Sequence, residues 1–84
     1  YHNELYGFIE EQEWLGEYEV GKQKEPYIRI LHNGTEREEQ KILSEIIRHQ
    51  IHHPENKRNK RYTDNDLHES IRLMRDFIAS RIKS

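Results

Sequence analysis

The 84-residue sequence contains no cysteine. That removes a disulfide framework, a thiolate metal site and a thiol nucleophile at once, a set of exclusions that fits a reducing cytoplasmic compartment. It also has no apolar run approaching the roughly 18 residues that a membrane span requires. Its first stretch, YHNELYGFIEEQ, lacks the basic-then-apolar order of a secretion signal. A soluble protein without a membrane partner is expected. Apolar residues are themselves scarce, 32% against 36% charged. So short a chain buries a modest share of its surface, and a partner or a second copy is expected to complete it. Glycine-rich phosphate loops, serine elbows and H-E-x-x-H runs are missing too, which leaves nucleotide hydrolysis, serine hydrolysis and zinc proteolysis unsupported.

With no internal repeat, residues 1–84 make one small domain or the C-terminal fragment of a larger protein, and the initial tyrosine favours the fragment. The net charge of -2 conceals an asymmetry. Residues 1–41 carry ten acids against five bases, and residues 42–84 carry six against nine. An anionic ligand belongs with the second half.

Residues 3–14 place Leu5, Phe8 and Ile9 on one helical face, predicting a short helix weakened by Gly7. EYEV (17–20) and YIRIL (27–31) alternate apolar and charged residues, and the Gly- and Pro-bearing stretch between them predicts a β-hairpin. Asn33-Gly34 marks a turn. Thr35 with Glu38 reads as a capping box, and Ile42, Leu43, Ile46, Ile47 and Ile51 then predict a helix over 36–52, ended by Pro54. Thr63 and Asp66 open a last helix with its stripe at Leu67, Ile71, Met74, Ile78 and Ile82. The expected fold is α+β and mainly helical: a short N-terminal helix and β-hairpin over 1–34, then two long antiparallel helices over 35–84.

One stretch concentrates chemistry. IIRHQIHHPEN (46–56) holds one arginine and three histidines just before a proline. Cationic and protonatable side chains suit a helix C-terminus for its dipole and unpaired carbonyls, so Arg48, His49, His52 and His53 have a purely structural reading. A metal reading pairs His49 with His52 or His53 but needs Glu55, His68 or His32 as further ligands, and no spacing selects them. A catalytic reading needs a group near pKa 6.5 to move the proton of a ribose 2′-hydroxyl and a permanent cation for the charge growing on the phosphate. On an unbroken helix Arg48 and His53 diverge by roughly 140° at 3.6 residues per turn. Pro54 frees His53 from that geometry.

The arrangement RHQIHH resembles the signature of the HEPN superfamily (higher eukaryote and prokaryote nucleotide-binding domains), with Arg48 at the arginine, His49 at the polar position and His53 at the histidine. The longer phrase IRHQIHHPENKRNKRYTDNDLHESIRLMRDFI is similar to the C-terminal HEPN-like segment of bacterial AAA-family ATPases associated with phage defence. The resemblance covers roughly residues 35–84. It implies a helical bundle that pairs as a homodimer or within a larger ATPase assembly, and that cleaves RNA without metal or cofactor, leaving a 2′,3′-cyclic phosphate. Arg48 would stabilise the transition state, His53 would act as acid or base, His49 would orient groups, and His52 would support or replace His53. Family domains usually have four or more helices, more than are expected here.

Lys57, Arg58, Lys60 and Arg61 put four cations into five positions beyond the cluster, suited to the RNA backbone or to solvent alone. Tyr62 beside them could stack on a base or pack on the helices. A metal-independent endoribonuclease module of a defence system is one expectation. A non-catalytic helical dimerisation or protein-interaction module is the other.

Overall fold

The computed structural model describes residues 1–83. Its elements run α1 (His2–Glu11), α2 (Leu15–Glu19), β1 (Lys24–Ile30), β2 (Glu36–Ile42), α3 (Leu43–His52) and α4 (Asp64–Lys83). The class is α+β and mainly helical, with a two-stranded antiparallel sheet.

The hairpin lies elsewhere than the alternation of 17–20 and 27–31 suggests. Residues 15–19 form α2, where Tyr18 is fully buried, and β1 pairs instead with β2, a segment expected to be the start of a helix. Turn chemistry decides this. Gly34 adopts φ 84°, which glycine tolerates, and the Leu31 amide donates to the Thr35 carbonyl at 2.8 Å across the turn. Asn33 Oδ1 receives both the Thr35 amide (3.1 Å) and its hydroxyl (2.6 Å), so Thr35 is not available to cap a helix toward Glu38. Residues 36–42 then alternate Glu36, Glu38 and Gln40 with Arg37, Glu39 and Lys41, a period of two that suits a strand. The helix expected over 36–52 therefore begins at Leu43, and of the two helices predicted to be long only α4, with 20 residues, is so.

Both remaining punctuation signals operate as read. α3 stops at His52, and His53 has φ -130° and ψ 66° ahead of Pro54, outside helical geometry. At α4 the capping box closes in both directions: the Asp66 amide donates to Thr63 Oγ1 at 3.1 Å, and the Thr63 amide donates to Asp66 Oδ2 at 3.0 Å.

The core gathers Tyr6 and Ile9 from α1, Tyr18 from α2, Ile42 at the end of β2 and Met74 from α4, with Trp14 and Phe77 packed against them. Trp14, Tyr18 and Phe77 meet edge to face at 5.3–6.2 Å between centroids, a geometry in which aromatic area and quadrupole both stabilise. A polar thread crosses this core. Tyr18 hydroxyl, Ser44, Ser70 and His2 Nε2 form a buried chain of hydrogen bonds at 2.8, 2.7 and 2.7 Å, tying together α2, α3, α4 and α1.

The outer edge of β1 is closed by the loop after α3. Asn59 donates to the Ile28 carbonyl (2.9 Å) and accepts from the Ile28 amide (2.8 Å), Asn56 adds a second bond to that carbonyl (3.0 Å), and Pro26 has no amide to satisfy. Residues 53–63 are thereby held on the sheet.

Candidate functional site

Strand alternation puts Tyr27 and Arg29 of β1 on the same face as Glu39 and Lys41 of β2, and α3 packs on that face. The result is a closed ring of charges. Arg29 Nε lies 3.2 Å from Glu39, Lys41 Nζ lies 3.7 Å from Glu39 and 2.8 Å from Glu45, Glu45 lies 3.5 Å from His49 Nε2, and His49 Nε2 lies 3.5 Å from Arg29. Glu39 Oε1 is buried without a hydrogen bond of good geometry, so its attraction to Arg29 is chiefly Coulombic.

His49 lies largely buried in this network, as Glu39, Lys41 and Glu45 do. Burial, and then the positive field of Arg29, Arg48 and Lys41, hold its imidazole below the ordinary value despite Glu45. At neutral pH the ring is uncharged, and its Nε2 either accepts from Arg29 or donates to Glu45. Arg29 and Glu45 thus compete for one imidazole nitrogen, and the tautomer decides which of them it meets.

Beyond His49 the face opens into a cleft of about 700 Å³ lined by Tyr27, Arg29, His32, His49, His53 and Glu55, among others. His53 stands at its rim with a side chain 62% exposed and Nδ1 3.4 Å from Glu55. Three imidazoles and one guanidinium thus line one open cleft. His32 enters through the Asn33-Gly34 turn rather than through any helix.

Arg48 lies apart from this cleft. It faces α1, its guanidinium 5.0 Å from the Tyr6 ring centroid and 4.0 Å from Glu10. His52 is exposed, its ring 6.5 Å from that of His53 and tilted by 50°. His68 belongs to the outer face of α4, beside Ile71 and Arg72. Among the described residues no three His, Asp or Glu side chains are grouped to hold a metal ion.

The basic loop divides. Arg58 is tied to Glu36, with Nε at 2.5 Å from the carboxylate, whereas Lys57, Lys60 and Arg61 are exposed and have no ion pair among the described residues. Buried Gln50 grips the backbone on either side of Arg61, donating to the Lys60 carbonyl at 2.8 Å and accepting from the Tyr62 amide at 3.3 Å. Lys60, Arg61 and Tyr62 border a second cleft, of about 530 Å³, whose floor includes Pro26, Leu43 and Ile46.

Arg29, Glu45 and Gln50 carry no functional expectation in the sequence reading, and Tyr27 is read there as packing in the core or as part of a binding surface with Trp14 and Tyr18. Tyr27 and Arg29 were open to discovery, because their spacing of two puts them on one strand face; Gln50 was not, because only the folded loop shows what it holds. Among the described residues, no helix is long and apolar enough to cross a membrane. No protein-family model, no curated protein and no solved structure matches the chain.

Proposed function

We propose that this chain is a HEPN-like, metal-independent endoribonuclease module whose reacting groups stand at the C-terminal end of α3. The observation that carries the reading is the release of His53 from helical geometry at Pro54, with its imidazole at the mouth of a cleft that also holds His49 and Arg29. In-line attack of a ribose 2′-hydroxyl on the adjacent phosphate needs one group to take the hydroxyl proton and one to protonate the leaving 5′-oxygen. His53 and His49 supply two imidazoles for those roles, and Arg29 supplies a permanent cation for the phosphate oxygens. The balanced products are a 2′,3′-cyclic phosphate and a 5′-hydroxyl.

Arg48 takes a second role in this reading. Its pairing with Glu10 at 4.0 Å, the outer limit of an ion pair and half-exposed on the Glu10 side, is weak, worth about 0–1 kcal/mol, so a phosphate presented by a second copy of the chain can displace it. His52, exposed beside His53, supports the loop end. The module acts as a homodimer or within a larger ATPase assembly of a phage-defence system, in the cytoplasm.

A non-catalytic interaction module has one observation in its favour, the engagement of Arg48 by Tyr6 and Glu10 of its own chain. Product chemistry separates the two. RNA incubated with the intact chain in EDTA should accumulate 2′,3′-cyclic phosphate ends, released as monophosphate by acid. Intact RNA after incubation with a folded, assembled sample would favour the interaction module.

A further inference from the structure

The second cleft has a composition unlike that of a phosphate trap. Lys60 and Arg61 at one rim are balanced by Glu25 and Asp66, and between them lies an apolar and aromatic surface of Leu43 and Tyr62. A bare anion gains little from a cleft of near-zero net charge. A nucleotide matches it better, because its phosphate, its flat apolar faces and the amino groups on its base edge each meet a different wall.

The cleft is also built in advance of any ligand. Exposed loops of basic residues are ordinarily mobile and lose conformational entropy on binding. Here the backbone on both sides of Arg61 is fixed by Gln50, and two residues before Arg61 the Asn59 side chain is clamped to Ile28. Asp66 has its carboxylate hydrogen-bonded to the Thr63 amide, which holds its pKa below the ordinary range and keeps it ionised at the cleft wall. The loop positions Lys60, Arg61 and Tyr62 without further ordering, so binding retains more of the contact energy.

Buried Tyr27 lines both clefts. The two therefore adjoin, one presenting imidazoles and the other presenting cations beside an aromatic ring. We infer that the cleft bounded by Lys60, Arg61, Tyr62 and Leu43 is a nucleotide subsite that takes one unstacked base against Tyr62 and its phosphate between Lys60 and Arg61, next to the imidazole cleft. It rests on the RNA-cleaving reading for the identity of the polymer. A base inside a duplex offers no free face, so the subsite selects unpaired RNA. Gln50 is its positioning residue.

The test is fluorescence anisotropy of labelled single-stranded and duplex RNA of equal length on the intact chain in EDTA, across a salt series. Single-stranded RNA should bind more tightly than duplex. Tyr62→Leu should weaken it roughly ten-fold. Lys60→Gln with Arg61→Gln should weaken it and flatten the log-log salt slope by about 1.4, as expected for the loss of two phosphate contacts on a single strand. Lys57→Gln, outside the cleft, should move affinity and slope less than either change within it. A titration of the unaltered chain followed by amide chemical shifts covers the case of a variant that misfolds. The largest shifts should fall on Arg61, Tyr62 and Leu43. Equal binding of duplex, indifference to Tyr62→Leu in a folded variant, or shifts confined to other surfaces would overturn the subsite. Cleavage at an unchanged rate and affinity by a variant combining Lys60→Gln, Arg61→Gln and Tyr62→Leu would overturn it while sparing the nuclease. Tyr62-dependent binding without any cleavage would support the subsite and sink the nuclease.

Discussion

The imidazole of His49 lies flat against the ring of Tyr27, centroids 5.4 Å apart and planes 24° from parallel. This contact joins α3 to β1 and sets the direction of His49 Nε2, which the hairpin then brackets between Arg29 and Glu45. Stacking on a buried tyrosine leaves the imidazole little rotational choice, as the proposed proton transfer at His49 requires. Tyr27→Leu should keep the strand yet loosen the ring, broadening the His49 side-chain resonances and raising its pKa toward the ordinary value. A sharp, unshifted His49 signal in that variant would contradict the role given to Tyr27.

The pH dependence of stability follows from His49 and His2. Burial lowers both pKa values in the folded chain, so between the folded value and the unfolded value of about 6.5 the unfolded state binds more protons. The stabilising effect is complete above pH of about 6.5 and diminishes as pH falls through that value toward the folded pKa. Urea midpoints should therefore be flat from pH 8 to 7 and decline below 6.5. Replacing His2 by Gln should remove part of the decline. Midpoints that rose on acidification through this window would refute the assignment.

Ser70→Ala tests the polar thread of the core. The hydroxyl bridges His2 Nε2 and Ser44 in a fully buried position, and its removal leaves two groups short of a partner. The expected cost is about 1–3 kcal/mol, read from urea denaturation at pH 7.5. Tyr18→Phe removes only the end of the chain and should cost about 1 kcal/mol.

Gln50→Leu keeps side-chain volume but leaves the Lys60 carbonyl and Tyr62 amide without their partner. Hydrogen exchange should accelerate at Tyr62 far more than at buried core amides such as that of Met74. Equal protection at Tyr62 in the variant would mean that the loop is held by other contacts.

Legibility in the sequence followed the range of each signal. Pro54 and the Thr63–Asp66 cap act over three or four residues, and both were readable because their partners are nearby in the chain. The segment 36–42 misled because Thr35 and Glu38 match a capping box while Asn33 captures the Thr35 hydroxyl first, two residues away. Glu39 and Lys41 are bound across the sheet to Arg29 and across to α3, contacts that the local pattern does not announce. The imidazoles at the helix end were visible in the sequence. Their grouping with Arg29 and His32, and the turning of Arg48 toward Tyr6, depend on contacts between residues far apart in the chain, which no local pattern encodes.

Single-turnover cleavage of end-labelled RNA in EDTA, comparing the unaltered chain with His53→Ala and His52→Ala, bears most directly on the proposal. General acid–base catalysis is worth about 10²–10⁴-fold, so His53→Ala should lose at least two orders of magnitude while His52→Ala stays within a few-fold. A folded, assembled sample that leaves RNA intact, or a His53→Ala variant that cleaves as fast as the unaltered chain, would contradict it.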